Sequence, residues 1–328
     1  MKKNIAIAIP ALVIVLIIAG AFWLFEPDFD AATVDAKYTN EASQFLTTAD
    51  NARVHFRDQG NTQGSPLVLV HGSNASLHTW EPWIKILGAT YRVITLDLPG
   101  HGLTGAVPTN RYDSDAQVQT VAALMQHLGI NRFALGGNSM GGGVTWRYAL
   151  QNPQHVSAMI LVNASGLPGW REDSASITNE DSGPLVFRLL RKPWFRRIAA
   201  QLDARSLTAQ GLRAAFDDES KVTDDMIDLY YNMGMRTGTR AATIARFAAF
   251  GSASPESEAD LATLGMPTLI LWGETDAIIP VGHANRFAEI LPDTKLIIYP
   301  NVGHLPMEEI PERSAADTLS FLQAQLER

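Results

Sequence analysis

The chain has 328 residues, 46% of them hydrophobic and 18% charged, which suits one large globular domain with an insertion and excludes a disordered chain. A formal charge of −8 argues against a nucleic-acid partner, because phosphate binding needs clustered Lys and Arg. There is no cysteine, which removes disulfides, thiolate catalysis and Cys-based metal sites.

Met1-Lys2-Lys3 precedes an uncharged run from Asn4 to Phe25, which ends in Phe22-Trp23-Leu24-Phe25. A bilayer core needs about 20 such residues, so the run is long enough to span one. Lys2 and Lys3 stand on one side, with Glu26, Asp28 and Asp30 on the other. The positive-inside rule then expects a cytoplasmic N-terminus and an exported domain, tethered to the periplasmic or extracellular face. Ala19-Gly20-Ala21 resembles a cleavage site, so a secreted protein with a cleaved signal peptide is the rival reading. The apolar run continues past Ala21, as an anchor would.

From about residue 43, short β-type runs alternate with amphipathic stretches, the signature of a mostly parallel sheet flanked by helices. Strands are expected at Ser43–Thr48, Arg53–Gln59, Pro66–His71, Tyr91–Asp97, Phe133–Ser139, Ala158–Asn163, Pro267–Gly273 and Lys295–Tyr299. Helices are expected at Asp115–Leu128, Met140–Leu150, His283–Leu291 and Pro311–Leu326. The alternation stops between about Gly166 and Leu264, where Leu185–Leu202, Thr208–Phe216, Thr223–Met233 and Arg240–Phe250 show helical periodicity only. The expected layout is therefore an anchor or signal over 1–26, an α/β core over 27–168 and 263–328, and a helical cap over 169–262. Arg188, Arg191, Lys192, Arg196 and Arg197 surround apolar residues in the cap, and a solvated helical face is preferred there to contact with an anionic surface.

Gly137-Asn138-Ser139-Met140-Gly141 lies between an expected strand and an expected helix. A serine hydroxyl is a weak nucleophile and must stand exposed on a sharp strand-to-helix turn, which flanking glycines permit. His304, in Asn301-Val302-Gly303-His304 after the last strand, is the candidate base. His71 and His101 are read as structural or as pocket wall. Asp276, in Gly273-Glu274-Thr275-Asp276, is the candidate acid that orients the imidazole, and Glu274 is read as a solvated charge. Asn163 occupies the other place an acid can take, after the sixth strand. The backbone N–H groups of Ser73 and Met140 are the expected oxyanion donors. Asn74, Asn138 and Tyr230 are the candidate substrate-lining residues. Asn74-Ala75-Ser76 also matches a glycosylation acceptor, read as unused because a glycan there would close the site.

From about Ala42 onward the chain resembles the α/β-hydrolase superfamily, in the branch with a helical cap. His71-Gly72, Asp97-Leu98-Pro99-Gly100-His101-Gly102, Gly137-Asn138-Ser139-Met140-Gly141-Gly142, Gly273-Glu274-Thr275-Asp276 and Val302-Gly303-His304 fall in the family's order. The resemblance implies a serine hydrolase, since Ser139 stands where dehalogenases and epoxide hydrolases carry an aspartate. The elbow is similar to that of meta-cleavage-product hydrolases, which cleave a carbon–carbon bond. Those enzymes usually carry a Trp after the catalytic His, where this chain has Leu305, and a cap arginine, where it has Tyr230. Both departures count against carbon–carbon hydrolysis. The expected activity is hydrolysis of a small carboxylic ester or lactone through an acyl-enzyme, without metal or organic cofactor. Amide hydrolysis and cofactor-free perhydrolysis remain open to the same triad, and a non-catalytic tethered binding module is the rival from another class.

Overall fold

A computed structural model describes residues 25–168, 201–249 and 256–326, with Lys192, Trp194, Phe195 and Ile198 between them. Eight strands make one sheet: β1 (Ser43–Thr47), β2 (Arg53–Gly60), β3 (Pro66–Val70), β4 (Arg92–Leu96), β5 (Phe133–Asn138), β6 (Val156–Val162), β7 (Thr268–Gly273) and β8 (Thr294–Tyr299). Their order is β1-β2-β4-β3-β5-β6-β7-β8; β1–β2 and β2–β4 pair antiparallel and the rest parallel. All eight lie within a residue or two of the expected runs.

The inner strands are largely apolar, β3 at every position, because both faces are covered. In β3, Val68 and Val70 pack with Val121 and Leu124 of α3 (Ser114–Leu128) and Val144 and Trp146 of α4 (Met140–Gln151). Leu67 and Leu69 point the other way, to Trp83 and Leu87 of α2 (Glu81–Leu87) and to Phe321 and Leu322 of the C-terminal helix Pro311–Leu326. Helix α3 is fixed at both ends: Asp113 accepts from Ala116 N–H at 2.9 Å, and Gly129 closes it at φ 67°. Strand order reverses around β3, so the loops leaving β3 and β5 open side by side, where ligands bind in sheets of this kind.

The cap contributes α5 (Arg205–Ala215), α6 (Asp224–Met235) and α7 (Thr239–Ala249). The expected helix over 185–202 and the basic segment around Trp194 lie almost wholly outside the described residues. The same holds for the expected anchor or signal, of which Phe25 alone is described. No helix among the described residues is long and apolar enough to cross a membrane.

Residues 27–38 were expected to begin the core, yet they also strap the cap. Phe29 N–H donates to Met235 O at 2.7 Å, Asp28 pairs with Arg240 at 2.6 Å, and Asp35 pairs with Arg236 at 2.7 Å. The strap includes a helix, α1 (Ala31–Tyr38), that periodicity does not suggest, because only Val34 on it is buried.

Under the loops lies a buried polar hub. The Asp97 carboxylate is sealed from solvent and meets His55 Nδ1 at 2.7 Å. It accepts from Leu77 N–H at 2.7 Å and Leu103 N–H at 2.8 Å, tying together the two loops that follow β3 and β4. Burial works to raise its pKa, but the bond and charge of His55, with His71 and His78, more than offset this and hold it well below the usual range. A depressed carboxylate pKa adds stability above the unfolded value, about 3.9, and loses it as pH falls through the folded one. Asp97→Asn should therefore cost about 3 kcal/mol near neutrality. Urea unfolding of both proteins across pH should show that gap closing below about pH 4.

Candidate active site

Ser139 sits between β5 and α4 at φ 53°, a left-handed conformation that a non-glycine residue adopts only under constraint. The constraint is close packing. A Cβ on Gly137 would lie 2.3 Å from the Gly141 carbonyl, and one on Gly141 would lie 2.2 Å from Val70 O. Ser139 N–H donates to Val162 O at 3.0 Å, while its carbonyl accepts from Ser165 N–H at 2.9 Å. The turn is thus held by its neighbours on the sheet.

Asp276 follows β7 and accepts four hydrogen bonds. Oδ2 meets His304 Nδ1 at 2.7 Å and Asn163 Nδ2 at 2.6 Å; Oδ1 accepts from the N–H groups of Ile278 at 2.7 Å and Ile279 at 2.9 Å. Burial works to raise the pKa of Asp276, but the bonds from His304, Ile279 and Asn163 bring it below the usual value. An ionised Asp276 makes Nδ1 of His304 the donor and leaves Nε2 as the lone-pair nitrogen. Glu274 is exposed, as the sequence suggested.

Asn138 links elbow to histidine, donating to His304 O at 3.0 Å and to Val162 O at 3.2 Å. No hydrogen bond joins Ser139 Oγ to His304 Nε2, and neither atom is sealed from solvent. Such contacts are often long before a substrate is bound. The loop after β3 lies against the elbow: a Cβ on Gly72 would stand 3.2 Å from the Ser139 Cβ. Ser73 N–H donates to no described residue, and Met140 N–H opens α4, where no carbonyl lies four residues back inside the helix.

The substrate-lining expectations fare differently. Asn138 is wholly buried and its amide N–H groups are engaged by backbone carbonyls, so it cross-links the site and does not line it. Asn74 is exposed at φ 60°, where its Oδ1 accepts from Arg246 of α7 at 2.7 Å. Tyr230 of α6 hydrogen-bonds Glu308. His71 and His101 are structural: His71 Nδ1 donates to Gly72 O at 2.7 Å and Nε2 accepts from Leu98 N–H at 3.0 Å. Burial lowers the pKa of both rings.

Sequence reasoning missed four contributors. Asn163 was noted only as a non-acid, and it holds Asp276. Arg246 is a cap arginine that reaches both Asn74 and the His101 ring; burial pushes its pKa down to about 10. Glu308 and Glu309 follow His304 in the one-turn helix Pro306–Glu309. Adjacent acids on a surface turn carry no sequence signal of their own. Glu309 is buried and accepts from Gly303 N–H at 2.8 Å, Asp218 N–H at 2.9 Å and Asp217 N–H at 3.1 Å. With His304 N–H donating to Ala215 O at 2.7 Å, it fastens the histidine loop to the cap. Among the described residues no group of three or more His, Cys, Asp or Glu is placed to hold a metal ion.

A model described as the alpha/beta hydrolase fold matches residues 65–311. The dihydrolipoyllysine-residue acetyltransferase component of the acetoin cleaving system of Pseudomonas putida is 31% identical over 80% of this chain, which spans 65% of that protein's length. The 2-hydroxy-6-oxo-6-phenylhexa-2,4-dienoate hydrolase of Burkholderia cepacia is 27% identical over 85% of this chain and 96% of its own. A thermophilic esterase from Thermogutta terrifontis superposes with a TM-score of 0.68 at 26% identity, covering 86% of this chain and 98% of that one.

Glu309→Gln replaces a charged acceptor of three buried N–H groups with a neutral amide. The expected loss is about 2 kcal/mol in urea unfolding. Because the loop carries His304, kcat should fall more than KM changes.

Proposed function

Because the chain belongs to the alpha/beta hydrolase fold family, we propose that it is a serine hydrolase of carboxylic esters or lactones, with Ser139 as nucleophile, His304 as base and Asp276 as acid. One observation carries the reading. A buried, four-fold hydrogen-bonded Asp276 meets His304 at 2.7 Å, on the same sheet end as Ser139 with its positive φ at the turn between β5 and α4. His304 Nε2 takes the proton as Ser139 Oγ attacks the carbonyl, and the oxyanion accepts from Ser73 and Met140 N–H. The tetrahedral centre collapses, the C–O bond to the alcohol breaks, and His304 gives the alcohol its proton. Water then attacks the acyl-enzyme with His304 again as base, releasing the acid and regenerating Ser139.

A second reading has a specific observation behind it. The Burkholderia cepacia relative is named for a dienoate substrate, and Arg246 brings a cap cation to the oxyanion loop, where a carboxylate could be held. Against it, Leu305 stands in place of Trp, and Tyr230 contacts an acid. Faster turnover of 2-hydroxy-6-oxo-dienoates than of any ester would favour carbon–carbon hydrolysis. Export of the domain rests on the sequence of residues 1–30 alone, the apolar run and the charges flanking it; a C-terminal phosphatase fusion inactive in intact cells would sink it.

In a p-nitrophenyl ester assay, Ser139→Ala and His304→Ala should each lose roughly 10⁴-fold in kcat, and Asp276→Asn should also be severely impaired. The double variant Ser139→Ala/His304→Ala should be little worse than the poorer single one. Glu274→Gln should stay near wild type. Full activity in Ser139→Ala would end the serine reading, and a crippled Glu274→Gln beside an active Asp276→Asn would move the acid.

A further inference from the structure

Glu308 has no part in the chemistry above. It lies four residues past His304, yet it does none of the loop-fastening that its neighbour Glu309 performs. Its Oε1 accepts from two hydroxyls on different elements: Tyr230 of cap helix α6, and Thr79 in the turn that follows the oxyanion loop. Oε2 accepts from no described residue and is not sealed from solvent. No described cation forms an ion pair with it; nearby Glu81 is itself acidic and pairs with Arg57 at 2.8 Å. Three elements meet at this carboxylate: the Thr79 turn that follows β3, the Glu308 turn that follows β8, and α6. Burial, with Glu81 adding to it, raises the pKa of Glu308.

The side of the cleft follows from the reaction. His304 must protonate the departing alcohol, so the alcohol arm of an ester runs on the histidine side, along the turn that holds Glu308. An arm ending in a hydroxyl can donate to Oε2 while Tyr230 and Thr79 hold Oε1 in place. A carboxylate on the same arm meets like charge and finds no described cation beside Glu308.

We propose that Glu308, Tyr230 and Thr79 form an alcohol-arm subsite that selects esters whose alcohol carries a further hydroxyl and rejects those whose alcohol carries a carboxylate. This rests on the ester-hydrolase reading above. The bland competitor is a latch, in which Glu308 does nothing more than hold the cap through Tyr230. A latch would scale every substrate alike.

The test uses the full chain and three butyrates: propyl, 3-hydroxypropyl and 2-carboxyethyl. All three pass through the same butyryl-enzyme, so their kcat/KM ratios report the arm alone. In wild type the hydroxyl arm should exceed propyl by about tenfold, and the carboxylate arm should fall below propyl by at least about tenfold. Glu308→Gln should raise the carboxylate-to-propyl ratio about tenfold, and Glu308→Leu should erase the hydroxyl preference. If Glu308→Leu fails to fold, Tyr230→Phe serves: it leaves the charge with one donor fewer and should lower the carboxylate-to-propyl ratio further. Equal kcat/KM for the three arms in wild type, or one common factor on all three in the Glu308 variants, would overturn the subsite while leaving ester hydrolysis intact. A folded wild type that cleaves none of them, nor p-nitrophenyl butyrate, would overturn the ester reading and this proposal with it.

Discussion

Asp276 keeps a negative charge in a place where burial works against it, and four donors make that possible. Two of them are backbone N–H groups of its own loop, one is Asn163, and one is His304. An isolated carboxylate in that setting would take up a proton instead. Once ionised, Asp276 fixes the tautomer of His304 and leaves Nε2 able to accept a proton. The geometry of the sheet serves this one electrostatic condition: β6 supplies Asn163, β7 supplies Asp276, and β8 supplies the loop of His304, in spatial order.

The histidine is then held by backbone from three directions. Its carbonyl receives Asn138 from the elbow, its N–H reaches Ala215 in the cap, and the preceding Gly303 is gripped by Glu309. Because Glu309 also takes the N–H groups of Asp217 and Asp218, the base and the cap share one buried carboxylate. The strap from Phe25 to Tyr38 adds a second hold on the cap through Asp28 and Asp35. Displacing α5 or α6 therefore strains contacts that position His304. This coupling is a property of packed hydrogen bonds and needs no ligand.

What the sequence made legible was local and covalently close. The eight strands could be read because continuous apolar runs match two covered faces, as the split of Leu67 and Leu69 from Val68 and Val70 illustrates. The elbow was readable because its G-x-S-x-G spacing is local, with Gly137 packed against Gly141 four residues on. The pieces that escaped are those whose meaning depends on residues far along the chain. Glu309 acts on Asp217 from 92 residues away, Arg246 on Asn74 from 172, and Thr79 on Glu308 from 229. The helix Ala31–Tyr38 escaped for another reason: it is held by ion pairs and one buried valine, which leave no apolar stripe to detect. Adjacency to Ser139 does not disclose that Asn138 is wholly buried with its amide N–H groups on backbone carbonyls of β6 and the histidine loop.

The charges left at the cleft divide it into two halves. On the oxyanion side Arg246 reaches Asn74 and His101, with burial lowering the pKa of both ionisable groups. On the histidine side Glu308 is answered by hydroxyls alone. In the proposed reaction the developing negative charge would lie between Ser73 and Met140, toward the cationic half, where it is favoured. Under the same proposal the acidic half would lie on the side of the departing alcohol, where a carboxylate disfavours anionic arms. In the proposed reaction the acidic half would therefore act on the choice of alcohol arm and leave oxyanion stabilisation to the opposite half.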